Sequence, residues 1–223
     1  MLSGQFNLPV GFDLAAVFLF GLTGALFAMK KGYDIVGVFV MALITGAGGG
    51  LIRDGIFLQQ GPPALVTDER YLYAVGVAGC LGILFGRHVI IVEKWFDRGV
   101  SVVDAAALGT YAIVGAQKAI NAGLGVSAAF LIGVINAVGA SLIRDVLTQQ
   151  ESMLLKPGQF YAFAAAVGCI VFLILGPGIG IAAETSAFIA IAVTFLLRVA
   201  AIRFNWQTPP VGTEKTRDKP SAL

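Results

Sequence analysis

Seven apolar segments, each about as long as a bilayer is thick, follow one another with short connections. They lie at about 12–29, 34–57, 71–91, 101–121, 125–148, 159–176 and 182–203. A helix needs about 20 mostly apolar residues to cross the hydrocarbon layer, and a helix satisfies its own backbone there. Only 13% of the 223 residues are charged and the mean hydropathy is +0.86, whereas soluble domains carry about 25% charged residues. The expected architecture is an all-α membrane protein with one transmembrane domain, residues 1–204, and a polar tail, residues 205–223. With Pro209, Pro210 and Pro220, that tail is expected to be disordered and cytoplasmic. The first thirteen residues hold no Lys or Arg, so the first segment is read as a retained span and not a signal peptide.

Basic residues orient the chain. Seven spans put Lys30, Lys31, Arg87, Lys94, Arg98, Lys156, Arg198, Arg203, Lys215, Arg217 and Lys219 on one side and leave only Arg70 on the other. The expected topology has the N-terminus outside and the C-terminus in the cytoplasm. Arg53, Lys118 and Arg144 remain within or near the ends of spans, where ionisable residues are functional candidates.

Two of these belong to a repeated stretch. "GGGLIRD" at 48–54 recurs as "GASLIRD" at 139–145, an offset of 91 residues. The same offset pairs Asp13 with Asp104, Gly24 with Gly115, Gly32 with Gly123 and Phe39 with Phe130. Spans 1–3 (about 12–91) therefore repeat as spans 4–6 (about 101–176), and the span at 182–203 is extra. A unit of three spans is odd, so its second copy enters from the opposite face, which makes a 3+3 inverted repeat plus one. Arg53 and Asp54 then lie toward the outer face, Arg144 and Asp145 toward the inner. Small residues also serve helix packing, which accounts for Gly24 and Gly115 but not for two mirrored charge pairs.

Gly48, Gly49 and Gly50 weaken a helix by about 1 kcal/mol each relative to alanine, so span 2 is expected to bend there. Non-helical backbone at membrane depth must face protein or water, and Arg53 shares the face of Gly49 and Gly50. A water-filled cavity beside span 2 would satisfy both. Span 5 repeats the pattern more mildly, with Gly139 and Ser141 before Arg144. Asp104, Tyr111 and Lys118 recur every seven residues in span 4 and Asn136 adds to span 5; this stripe reads either as the wall of a wet interior or as a satisfied helix contact. Depth suggests that Asp13 pairs with Arg53, and Asp104 with Arg144. Arg53 and Asp54, adjacent on a helix, are not expected to pair. Lys118 lies about 21 Å along the helix from Asp104. It is read either as an unpaired barrier to cations or as a residue snorkelling to the interface.

Other chemistry finds little support. Cys80 and Cys169 lack metal spacing, and His88 stands alone beside Arg87 at a span end. Leu51 occupies the third glycine position of a dinucleotide loop, and no Walker lysine follows. Neither an enzyme, a cofactor, a metal nor a nucleic-acid partner is expected.

Seven spans arranged three, three inverted and one, with the doubled "LIRD" motif, resemble the prokaryotic trimeric intracellular cation (TRIC) channels over about residues 10–203. The resemblance implies a homotrimer in a prokaryotic plasma membrane and one hydrophilic pore per subunit. That pore would run among spans 1, 2, 4 and 5, with spans 2 and 5 bent at glycines. The implied permeant ion is a monovalent cation, chiefly K+ with Na+ as the other candidate, and the implied partners are the chain itself and membrane lipids. The Lys-Glu-Val lipid motif of animal relatives is absent, since Ala119 and Ile120 follow Lys118. The alternative is a small-solute, glycine-type transporter of the inner membrane, and a third reading is a structural membrane protein. The K+-channel filter "TVGYG" is missing, so strict K+ selectivity is not expected.

Overall fold

The computed structural model describes residues 6–89, 93–150, 152, 154 and 160–206, with side chains except those of 87–89 and 93–97. The side chains of Arg87, His88 and Lys94, together with Lys156 and the tail from 207 onward, lie outside this set. The described residues form eight α-helices: α1 Val10–Lys30, α2 Ile35–Ile52, α3 Ala64–Thr67, α4 Glu69–Val89, α5 Glu93–Asn121, α6 Val126–Leu147, α7 Tyr161–Leu173 and α8 Ala183–Arg203. Wider π-helical turns extend α2 over Arg53–Leu58 and α7 over Ile174–Gly178. Six of the helical stretches are long and apolar enough to cross a bilayer. The helix at the third expected span, α4, has 21 residues. At the start of the expected tail, Trp206 donates its backbone N–H to the Ala201 carbonyl at 3.0 Å and stacks on Phe204.

The repeat is visible in backbone detail. Gly32 and Gly123 both take left-handed φ, +74° and +78°, and each reverses the chain after the first helix of its unit. Tyr33 N–H then bonds the Ala28 carbonyl at 3.0 Å, and Leu124 N–H bonds the Ala119 carbonyl at 3.1 Å, the same closure 91 positions apart. Asp34 caps α2 by accepting Gly37 N–H at 2.7 Å, a cap that favours helix initiation.

Small residues let the helices touch. A Cβ on Gly24 would strike Thr45 and the Met41 carbonyl of α2, and one on Gly115 would strike Asn136 of α6. Across the centre, a Cβ on Gly48 would lie 3.1 Å from Ile143, and one on Gly139 would lie 3.1 Å from Ile52. These contacts exchange under the repeat, so α2 and α6 cross on the pseudo-two-fold axis. Phe20 and its counterpart Tyr111 meet edge-on there, 5.3 Å between centroids, both fully buried.

The glycine triplet lies inside the α-helical run of α2. Gly48 and Gly49 are consumed by contact with α6 and Tyr111, and the departure from α geometry comes later, at Arg53–Leu58. In span 5, α6 stays α-helical through Gly139 to Leu147.

Candidate functional site: two buried ion-pair clusters

Asp13 begins α1, Arg53 and Asp54 open the π-turn after α2, Tyr71 begins α4 and Lys118 ends α5. The antiparallel courses of these helices bring all five to one end of the molecule. Arg53 reaches Asp13 through Nη1 at 3.4 Å and Nη2 at 3.2 Å. Tyr71 Oη donates to Asp13 Oδ2 at 2.8 Å, and Lys118 Nζ lies 2.7 Å from the same oxygen. Asp54 accepts Arg53 Nε at 2.6 Å and Nη2 at 3.0 Å, and also the Ala64 backbone N–H at 3.2 Å. Two carboxylates and two cations thus neutralise one another, as buried charge requires.

The Asp13–Arg53 pair agrees with the depth argument, but two other expectations fail. Arg53 and Asp54 do pair, because the long guanidinium folds back over its neighbour; Arg144 and Asp145 do the same at 2.9 Å inside a regular α-helix. Lys118 is no unpaired barrier. It is tied to the carboxylate of the other repeat, a contact that spacing along one helix could not reveal.

A second cluster forms from the counterparts. Asp104 of α5 accepts Tyr161 Oη of α7 at 3.4 Å, while Arg144 Nε donates to Asp145 at 3.0 Å. The expected Asp104–Arg144 pair is not made among the described residues; the nearer Asp145 takes the guanidinium. Arg144 also lies over the Phe27 ring at 5.5 Å, and Arg198 of α8 lies over the Tyr161 ring at 4.8 Å. Tyr71, Tyr161 and Arg198 escaped the sequence reading. The tyrosines recur 90 residues apart, and Arg198 is an ionisable residue inside an apolar run; both signals were available.

The middle of the protein is dry. Tyr111 Oη donates to the Gly46 carbonyl, Asn136 Nδ2 donates to the Tyr111 carbonyl at 2.7 Å, and Ser141 donates to Val138 at 2.9 Å. Tyr111 and Asn136 of the polar stripe are thus used in helix contacts, and the cleft beside Gly50 and Arg53 has room for about one water molecule. Two larger clefts of about 270 and 280 Å³ flank Lys118. Asn7, Asp13, Gln117 and Asn121 line one, and Asp54, Gln60, Thr67 and Asn121 line the other.

An all-helical fold with six helices apolar enough to cross a bilayer, two repeated units and a buried charge cluster in each defines an integral membrane protein. The chain belongs to the family of prokaryotic TRIC channels and their relatives. A family model described as "Glycine transporter" matches twice, over residues 10–87 and 101–177, once per repeat. The UPF0126 inner membrane protein YadS of Escherichia coli is 35% identical over 197 residues, covering 88% of this chain and 93% of its own. The crystal structure of the TRIC trimeric intracellular cation channel orthologue from Rhodobacter sphaeroides superposes with a TM-score of 0.79 at 30% identity, covering 87% of this chain and 97% of that one. A TRIC channel from C. elegans shares the fold at 15% identity and a TM-score of 0.56.

Proposed function

We propose that the protein is a homotrimeric channel for monovalent cations, permeable to K+, with one pathway per subunit among α1, α2, α5 and α6. The observation that carries this reading is the outer vestibule. Asp13 lines one of its clefts and Asp54 the other, and Lys118 stands between them with 28% of its side chain exposed; displacing Lys118 would turn both carboxylates toward an entering cation. Below lies the sealed contact of Phe20 with Tyr111, so this conformation is closed. The solved relatives described as trimeric cation channels support the same class.

In this reading α4 is the seventh span. Its outer surface of Leu72, Val77, Leu84 and Phe85 is exposed and apolar, as a lipid-facing helix requires, while Gly82 seats it against Ala25 of α1. The N-terminus is outside and the tail cytoplasmic. The second reading, a glycine-type carrier, is favoured by the description of the matching family model. Planar-bilayer recording in KCl separates the two. Discrete steps of K+ current are expected; saturable exchange of labelled glycine without unitary current would establish the carrier.

A further inference from the structure

The two clusters correspond residue for residue with one exception. Asp13, Arg53, Asp54 and Tyr71 outside match Asp104, Arg144, Asp145 and Tyr161 inside. The fifth outer residue, Lys118, comes from the other repeat, and its counterpart by the 91-residue offset is Phe27. Phenylalanine supplies no charge. Its ring lies between Arg144 at 5.5 Å and Lys31 at 5.7 Å, and Lys31 is exposed at the end of α1. Without another cation, Asp104 and Asp145 would face Arg144 alone, leaving one excess buried negative charge.

Arg198 fills that deficit from outside the repeat. It is 1% exposed and stacks on Tyr161 at 4.8 Å, the tyrosine whose hydroxyl donates to Asp104 at 3.4 Å. Close packing holds its helix in place. Thr194, one turn before Arg198, sits against Gly109 of α5 and Gly168 of α7, and a Cβ on Gly109 would lie 3.2 Å from it. We propose that Arg198 is the inner counterpart of Lys118: a buried cation, delivered by the unrepeated helix α8, that neutralises the inner cluster and closes the inner end. The extra span thereby supplies the charge that the first repeat lacks at Phe27. The part of this inference that concerns closure rests on the channel reading; the charge compensation does not.

The test uses the full-length protein in two assays. In thermal melts in detergent, Arg198→Gln and Asp104→Asn are each expected to lower the midpoint, and the double variant to lower it by less than their sum. Phe27→Lys alone, which adds a cation beside Arg144, is expected to destabilise. Added to Arg198→Gln, it is expected to restore at least half of the lost midpoint, since it rebuilds the outer arrangement at the inner end. In bilayers, Arg198→Gln is expected to raise open probability about tenfold, and Phe27→Lys in the same protein to return it to within about twofold of wild type. Arg198→Lys keeps the charge but not the planar stack, and is expected to stay within about threefold of wild type. Additive melts without rescue by Phe27→Lys would overturn the proposal, as would an Arg198→Lys variant that behaves like Arg198→Gln. If the wild type carries no current, the channel reading fails while the melts still decide the charge compensation.

Discussion

The contact of Lys118 with Asp13 links the two repeats at the outer end, so Lys118→Gln tests whether it acts as a latch. At 2.7 Å the bare Coulomb attraction is about 6 kcal/mol at an effective dielectric near 20. Desolvation offsets much of that. The lysine side chain is 28% exposed and the aspartate side chain 4%, so the pair lies between exposed bridges, worth about 0–1 kcal/mol, and buried pairs, whose breaking costs about 3–5 kcal/mol. Asp13 also keeps Arg53 and Tyr71 after the substitution, which limits the loss. A cost of about 2 kcal/mol to the closed state follows, a change of roughly 30-fold in the closed-to-open ratio. Single-channel open probability of Lys118→Gln in planar bilayers is expected to rise accordingly. Lys118→Glu, which sets a third carboxylate against Asp13 and Asp54, is expected to open further and to melt at a lower temperature. A Lys118→Gln protein that melts normally and shows unchanged open probability would refute the latch.

Asp13→Asn and Arg53→Gln share one network, and their effects on the melting midpoint are expected to be non-additive by about 1 kcal/mol or more. Gly49→Ala should destabilise by about 1–3 kcal/mol, because the new methyl would strike the Asn136 carbonyl and lie 2.9 Å from the Tyr111 ring. Gly50→Ala, whose methyl would meet nothing nearer than 3.5 Å, should stay within about 0.5 kcal/mol in the same melts. Cysteines introduced into the tail should resist a membrane-impermeant thiol reagent in intact cells and react after lysis; labelling before lysis would reverse the orientation. Chemical crosslinking of the purified protein should stop at three subunits, and a ladder ending at two would remove the trimer.

What the sequence made legible was the part that repeats. An offset of 91 residues ties Gly32 to Gly123 and Gly48 to Gly139, and the structure turns the first pair into matching reversals and the second into the central crossing. Contacts between repeats were hidden, because they depend on how the two units face each other. Spacing along α5 compared Lys118 only with Asp104, whereas the fold hands it to Asp13. The glycine triplet is a related case. Helix propensity describes an isolated helix in water, and here the energy lost by Gly49 is offset by the close approach of α6, which no side chain would permit. The adjacency rule for Arg53 and Asp54 considers where side chains leave the helix, not how far a guanidinium can fold back.

An inverted repeat has a physical consequence of its own. If both copies stayed identical, the two clusters would be equivalent, and only α8 and the tail would distinguish inside from outside. Divergence at one pair of positions is enough to change that. Lys118 ends in a partly exposed ammonium at the floor of a vestibule, where bulk ions and voltage can reach it. At the mirrored position Phe27 carries no charge, and the inner cluster draws its balance from Arg198, which is fully buried beneath Tyr161. A charge open to solvent is screened over about 8–10 Å at physiological salt, while a buried one is screened much less. The outer cluster is therefore the softer of the two, and ionic strength or outside cations should act there first. The inner cluster is tied to the packing of α8 and responds only when that helix shifts. The chain thus obtains two unlike ends from one duplicated design, with Lys118 in one repeat, Phe27 in the other and Arg198 supplied by the unrepeated helix.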